Sequence, residues 1–414
     1  MNSSTKFYNS TPVLSLLLAR IFYSANWFNV ASIFYLIATD FKQDISTLGL
    51  VTSSFILGVG LFQVPAGILA AKYSANRVAV FGILLASSCV LLTGLSDSIV
   101  HIAVLRFIVG VGMACFFGPS VVLISEYLGK RSEGLGIGLI NSAHAVGGIL
   151  GIFAWVVLAQ LTGWRISLVS AGALGLVTGL ILIMSLSQRK SKLKLQGEGE
   201  VGRHAFAPAR VSKSTRAGFG ISLSGLSHTI FNRSLIILGL TLLSFQAGSS
   251  IVLTFIVFYL GGYLKVDLTI AGLIGSLNLV IALLFSPIFG RLYDRTRKTK
   301  KILLISGLAA AAGVLGMAVP SIYIIIPSMT ISAIFLSAGF VLVYAEAKRT
   351  NSVQNLDPQY QTLAVSYVNG ISLFGASWIP ILFSFAVDWF GFSLAWLLGG
   401  FIVLVLVLPA FKLK

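Results

Sequence analysis

Residues Gly290–Lys301 read GRLYDRTRKTKK: six Lys or Arg and one Asp in twelve residues, set between two long apolar runs. A degraded copy, GILAAKYSANR, stands at Gly67–Arg77. A basic hairpin repeated at corresponding places in two halves describes a duplicated chain with charged loops and uncharged long segments. Composition says where those segments belong. Of the 414 residues 57% are hydrophobic and 10% charged, with a mean hydropathy of +0.96, whereas an ordinary soluble domain carries about 25% charged residues. The chain belongs in lipid.

Outward from the two hairpins, apolar runs of about 20 residues or more, each long enough for a spanning helix, follow one another with short polar breaks. They cover 12–39, 46–71, 78–95, 99–128, 135–161 and 166–187, then 234–262, 269–290, 302–320, 321–346, 362–387 and 393–411. The count is twelve, with its weakest break at Pro320. The segment MNSSTKFYNSTPV leads into an apolar run too long for a signal-peptide core, so the first span is read as retained. Cys89 and Cys115 both lie inside apolar runs and suit packing rather than a disulfide or a metal site.

A net charge of +17 would suggest nucleic acid in a soluble protein, so its placement has to decide. With a cytoplasmic N-terminus, 24 of the 29 basic residues fall on the inner side and only Lys42, Arg165 and Lys265 outside. The positive-inside rule then places both termini in the cytoplasm of a cell inner membrane and removes the nucleic-acid reading. The stretch 188–232, rich in Gly, Ser, Lys and Arg, reads as a basic cytoplasmic linker between an N-terminal half, 1–187, and a C-terminal half, 233–414.

Duplication is visible as an offset. Gly67 and Gly290 are 223 residues apart, each shortly after a Pro (Pro65, Pro287); Glu126 and Glu346 differ by 220; Asn141 and Asn369, Gly147 and Gly375, and Gly163 and Gly391 all differ by 228. The fold class expected is an all-α integral membrane protein of twelve transmembrane helices in two parallel six-helix repeats. In one transporter design of that kind the substrate site lies at the membrane midplane between the halves.

These residues resemble the major facilitator superfamily. Its loop between spans 2 and 3 commonly reads G-x-L-A-D-R-x-G-R-R; here Gly67, Leu69, Lys72 and Arg77 are kept, with Ala71 in place of the Asp and Ser74 in place of the second Gly. The second copy keeps Gly290, Leu292, Asp294 and Arg295. Arg106, Gly110 and Gly112 look like the family's span 4 motif, and Gly163-Trp164-Arg165 resembles the usual start of span 6. Within the family, Gln63-Val-Pro65-Ala-Gly67 and an Arg in each of spans 1 and 4 look most like organic-anion transporters.

A charge at the bilayer centre costs about 2.5 to 3.5 kcal/mol on insertion scales, so it should face a cavity or a partner. Arg20 and Arg106 are the cations deep in spans, with no carboxylate at comparable depth. At about 100° per residue Tyr23, Ser24, Trp27 and Phe34 share the side of span 1 that carries Arg20. A guanidinium fork suits carboxylate or phosphate, so the substrate expected is a small organic anion. Further candidate contacts are Asn141 and His144 in span 5, Gln246 in span 7, Asn278 in span 8 and Asn369 in span 11. His144 is also the candidate for a coupling proton.

Proton-coupled relatives often carry Asp before the span 1 Arg and Glu seven residues after the span 4 Arg; Ala19 and Met113 stand there instead. That leaves exchange, facilitated diffusion, coupling to Na+, or a proton route through His144. Near the inner ends of the spans, Glu126, Asp294 and Glu346 are placed to pair with Arg77, Arg131, Arg295 or Arg349 as a cytoplasmic gate. No H-E-x-x-H, Walker loop, C-x-x-C or Ser/His/Asp set occurs. The expectation is therefore a secondary transporter and not an enzyme, without cofactor or metal, monomeric, with a small anionic substrate, an H+ or Na+ coupling ion and the lipid bilayer as partners. A proton-coupled exporter of drug-like or cationic compounds is the alternative, and a sensor or channel a further one.

Overall fold

The computed structural model describes residues 10–128, 133–199, 231–296, 298–350 and 358–413. Among them the chain is helical throughout. The first half comprises α1 (Ser10–Ser32), α2 (Phe34–Phe41), α3 (Ile45–Tyr73), α4 (Ala75–Gly94), α5 (Ile99–Leu128), α6 (Glu133–Ile149), a π-helical turn at Leu150–Ala154, α7 (Trp155–Thr162) and α8 (Trp164–Gly199). The second comprises α9 (Arg233–Phe258), a π turn at Tyr259–Tyr263, α10 (Leu268–Thr296), α11 (Thr299–Gly316), α12 (Ile322–Arg349), α13 (Pro358–Ala376), α14 (Ile379–Val407) and a short 3-10 turn, Leu408–Lys412.

Eleven stretches of described helix are long and apolar enough to cross a membrane, which makes this a multi-pass membrane protein. The last stretch, Ala364–Lys412, has 49 residues and would reach about 74 Å at 1.5 Å per residue, over twice a hydrocarbon core of about 30 Å. It makes two passes, reversing at Gly391 (φ 80°, ψ 169°), so the spans among the described residues number twelve. Pro380 has no N–H for the Ala376 carbonyl one turn earlier, and α13 ends there. Pro320 likewise falls in the gap between α11 and α12.

The duplication is written in the backbone. Gly163 (φ 85°) and Gly391 (φ 80°) take the same positive φ, which a side chain would strain, at equivalent turns 228 residues apart. Lys42 (φ 53°) and Lys265 (φ 58°) are left-handed after the first and seventh spans, 223 residues apart. Packing repeats as well: α1 on α6, α3 on α5, α4 on α5 and α4 on α8 are matched by α9 on α13, α10 on α12, α11 on α12 and α11 on α14.

The halves meet through α3 against α13 and α14, α6 against α10, and α1 against α9. At the end remote from the basic hairpins one apolar cluster draws on both, with Phe34, Ile37 and Leu48 packed among Phe255, Tyr259 and Trp396. There Ser46 N–H donates to Asp388 Oδ2 (3.1 Å), Ile381 N–H to Ser53 Oγ (3.2 Å) and Thr269 Oγ1 to Gln160 Oε1 (2.8 Å). The backbones touch closely enough that a Cβ on Gly49 would sit 2.6 Å from the Pro380 carbonyl oxygen. Toward the basic end the core divides into a cluster around Ile83, Phe55 and Phe116 and another around Phe245, Phe289 and Leu342. Gly67, Gly118 and Gly370 face open space there. The described molecule is sealed at one end and parted at the other.

One boundary differs from expectation. The linker was expected from 188, but α8 stays helical to Gly199. Its Gln, Lys and Leu residues are good helix formers, and charge alone does not end a helix.

Candidate functional site

The centre of the molecule is built on an irregular α1. Ser24, Asn26, Asn29 and Ser32 are all buried along it. Asn26 Nδ2 donates to the Phe22 carbonyl (2.9 Å), Asn29 Nδ2 to Asn26 Oδ1 (3.0 Å), and Val30 N–H to Asn29 Oδ1 (2.8 Å). Such short side-chain bonds compete with the helical ladder, and α1 breaks at Ile33 soon after. Ser24 Oγ donates to the His144 carbonyl (2.6 Å) and Ser32 Oγ to the Gly151 carbonyl (2.9 Å), fastening α1 to span 5.

Arg106 uses this irregularity. Its Nη1 donates to the Asn26 carbonyl (3.0 Å) and its guanidinium lies 4.2 Å from the Phe55 ring centroid, so it ties α5 to α1 from a site only 3% exposed. Of the two arginines expected to bind substrate, this one is engaged by the fold.

Arg20 is held differently. It is 5% exposed, its Nε and Nη1 have no hydrogen-bond partner, and its guanidinium lies beside the stacked pair of Tyr23 and Phe117, 4.4 Å and 4.8 Å from their ring centroids. The aromatic wall continues from Tyr23 to Trp27 (centroids 5.7 Å apart) and His144 (6.4 Å), with Trp27 edge-on to Phe55 (4.8 Å). His144 also packs on Phe28 (6.2 Å), and its Nδ1 has no partner. Phe34, placed on this stripe by helical spacing, belongs instead to the sealed end and is fully buried, because the break at Ile33 turns it away.

From the second half Tyr344 lies within electrostatic reach of Arg20 and Tyr23, and its hydroxyl donates to Asn369 Oδ1 (2.8 Å). Asn278 is buried with Nδ2 unpartnered, next to Leu279, which abuts Gly148 and Phe28. Gln246 on α9 is half-buried. The Asn141 side chain lies outside the described residues. A cavity of about 320 Å³ opens at the basic end, lined by Gly290, Tyr293, Asp294, Val341, Tyr344, Ala345 and Arg349.

Of the expected gate residues, Asp294 and Arg349 line that opening. Glu346 accepts from Tyr293 Oη (3.1 Å) and Thr299 Oγ1 (2.7 Å), both of the second half. Arg349 lies 5.4 Å from the Tyr293 ring centroid with Nη1 unpartnered. Arg77 and Arg295 are exposed, while Arg131 and the Glu126 side chain lie outside the described residues. At the sealed end Asp40 pairs with Arg165 and accepts from Trp164 Nε1 (3.1 Å). The Arg165 guanidinium, and then the Trp164 indole, hold the Asp40 carboxyl below the usual carboxylate range. Spacing did not single out Tyr344, Phe117, Tyr293 or Asp40, since each meets its partner across helices distant in sequence.

The sequence pattern of the Major Facilitator Superfamily matches residues 16–345 and 237–414. The chain belongs to the Major Facilitator Superfamily. Among superfamily relatives, the benzoate transport protein of Acinetobacter baylyi is 30% identical over 132 residues, 30% of this chain and 28% of that protein. A probable sulfoacetate transporter of Cupriavidus necator is 25% identical over 314 residues, 74% of this chain and 69% of the relative. The match thus spans under a third of the first relative and about two thirds of the second. Both are transport proteins, not enzymes. Among solved structures, a bacterial homolog of the human lysosomal transporter Spinster, inward-facing and occupied, superposes with a TM-score of 0.75 at 16% identity, covering 99% of this chain and 97% of that one. The superfamily fold is shared at that distance.

Proposed function

We propose that this superfamily member is a secondary transporter of small aromatic carboxylates, working by alternating access in the cytoplasmic membrane with both termini in the cytoplasm. One observation carries the reading: Arg20, buried and with two unsatisfied nitrogens, lies beside aromatic rings. Buried N–H donors of a cation left without acceptors are costly, and a ligand carboxylate would satisfy them while an aromatic ring packs on the wall of Tyr23, Phe117 and Trp27. The benzoate relative supports that substrate class and the sulfoacetate relative supports an anion. A cationic drug gains nothing from a positive pocket. The charge asymmetry of the loops supports the orientation, and the sealed and parted ends then correspond to an inward-open carrier. Asn141, Gln246, Asn278 and Asn369 complete the proposed contacts, with Arg106 bracing α1. The carrier works as a monomer, with H+ at His144 as the coupling ion and Na+ as the alternative.

Proteoliposomes preloaded with excess unlabelled benzoate test this. Labelled benzoate should accumulate transiently, as in carriers and not in channels or sensors. Arg20→Ala should abolish that accumulation while inserting normally. Undiminished uptake in the variant, or no accumulation of any organic anion by the wild type, would remove the proposal.

A further inference from the structure

Tyr344 occupies a position that neither the sequence motifs nor the relatives assign. It lines the cavity at the basic end, it stands within electrostatic reach of the buried Arg20, and it comes from the half that does not carry Arg20. Its hydroxyl has one donor proton, spent on Asn369 Oδ1 at 2.8 Å. Arg20 keeps Nε and Nη1 unpartnered. The cavity, the tyrosine and the free guanidinium nitrogens therefore lie in sequence from the open end to the buried centre.

We propose that Tyr344 is a substrate-binding residue: on arrival of an aromatic carboxylate at Arg20, its hydroxyl leaves Asn369 and donates to the carboxylate, so the anion is gripped from both halves. The inference rests on the aromatic-carboxylate reading above. Exchange of a neutral amide acceptor for a carboxylate is favourable because charge-assisted hydrogen bonds are about twice as strong as neutral ones. The ligand thereby draws the parted halves together at the level of Tyr344, closing the way back to the cavity. Asn369 has a defined part: it holds the hydroxyl in the empty carrier, so Tyr344 is satisfied before the substrate arrives and after it leaves.

The test measures binding of carboxyl-13C benzoate to the purified full chain by calorimetry and by the carbon resonance of the bound carboxylate. Tyr344→Phe should weaken binding about 10-fold, the loss of one hydrogen bond to a charged group, and should displace the bound resonance. Tyr344→His, which restores a donor, should return affinity to within about 3-fold of wild type. Equal affinity in wild type and Tyr344→Phe overturns the inference. So does weakened binding with an unmoved resonance, which marks a structural role, and so does a His variant as weak as the Phe variant. Should wild type bind neither benzoate nor another aromatic carboxylate, the functional reading falls with it, an outcome distinct from the others because it precedes any substitution.

Discussion

Arg20 and Arg106 are alike in sequence, each a lone cation deep in an apolar span, yet only Arg20 is left with a guanidinium unoccupied on both Nε and Nη1. The difference was not legible from spacing because the partner of Arg106 is a main-chain carbonyl, that of Asn26, which no residue pattern advertises. Arg20 was legible through charge and depth, as was the aromatic stripe of Tyr23 and Trp27. Phe117 and Tyr344 were not, since no local period links span 1 to spans 4 and 10. His144 carries a prediction at this scale. It packs on Tyr23 and Phe28 beside the Arg20 site with Nδ1 unpartnered, and it is the proposed carrier of a coupling proton. His144→Gln should flatten the dependence of uptake on pH between about 5 and 8; an unchanged profile in proteoliposomes would dispose of the proton route.

Elements show where sequence reading succeeds for a physical reason. Gly163 and Gly391 were matched by offset alone, and both adopt a positive φ with extended ψ that only glycine takes without strain. Gly391→Ala should therefore cost about 1 to 3 kcal/mol and lower the melting temperature of the purified protein. Helix α8 shows the opposite, since a charged, Gly-containing stretch read as linker is helical as far as Gly199. The clamp of Asp40 on Arg165 and Trp164, which joins the end of span 1 to the start of span 6, makes a second prediction. Because the folded-state carboxyl is held below its ordinary range, its stabilisation is complete above the unfolded pKa and disappears as pH falls through the lowered value. Asp40→Asn should melt earlier than wild type at neutral pH, and the two melting curves should converge in acid. Both groups are substantially exposed, so the difference will be small.

Across the whole molecule the duplication is asymmetric at the basic hairpins. Asp294 lines the cavity at that end, whereas the equivalent position of the first half is Ala71. If the rim closes through the second copy, Asp294→Asn should slow benzoate uptake several-fold and Ala71→Asp should leave it near wild type; equal effects of the two would show a symmetric latch. The twelve spans and the twofold repeat were readable because hydropathy and loop charge are properties of segments. The sealed end was not, because it depends on which of two packings the same helices adopt. That seam has a thermal consequence. Its material is apolar, Phe34, Ile37 and Leu48 against Phe255, Tyr259 and Trp396, while the rim that would close in exchange carries Arg77, Asp294, Arg295 and Arg349. Exposing apolar surface raises heat capacity and exposing polar surface lowers it, so the two orientations differ in heat capacity. Apolar burial weakens on cooling. In the proposed carrier the fraction of empty molecules facing each side is accordingly a function of temperature, shifting toward the orientation with the seam parted as the membrane cools.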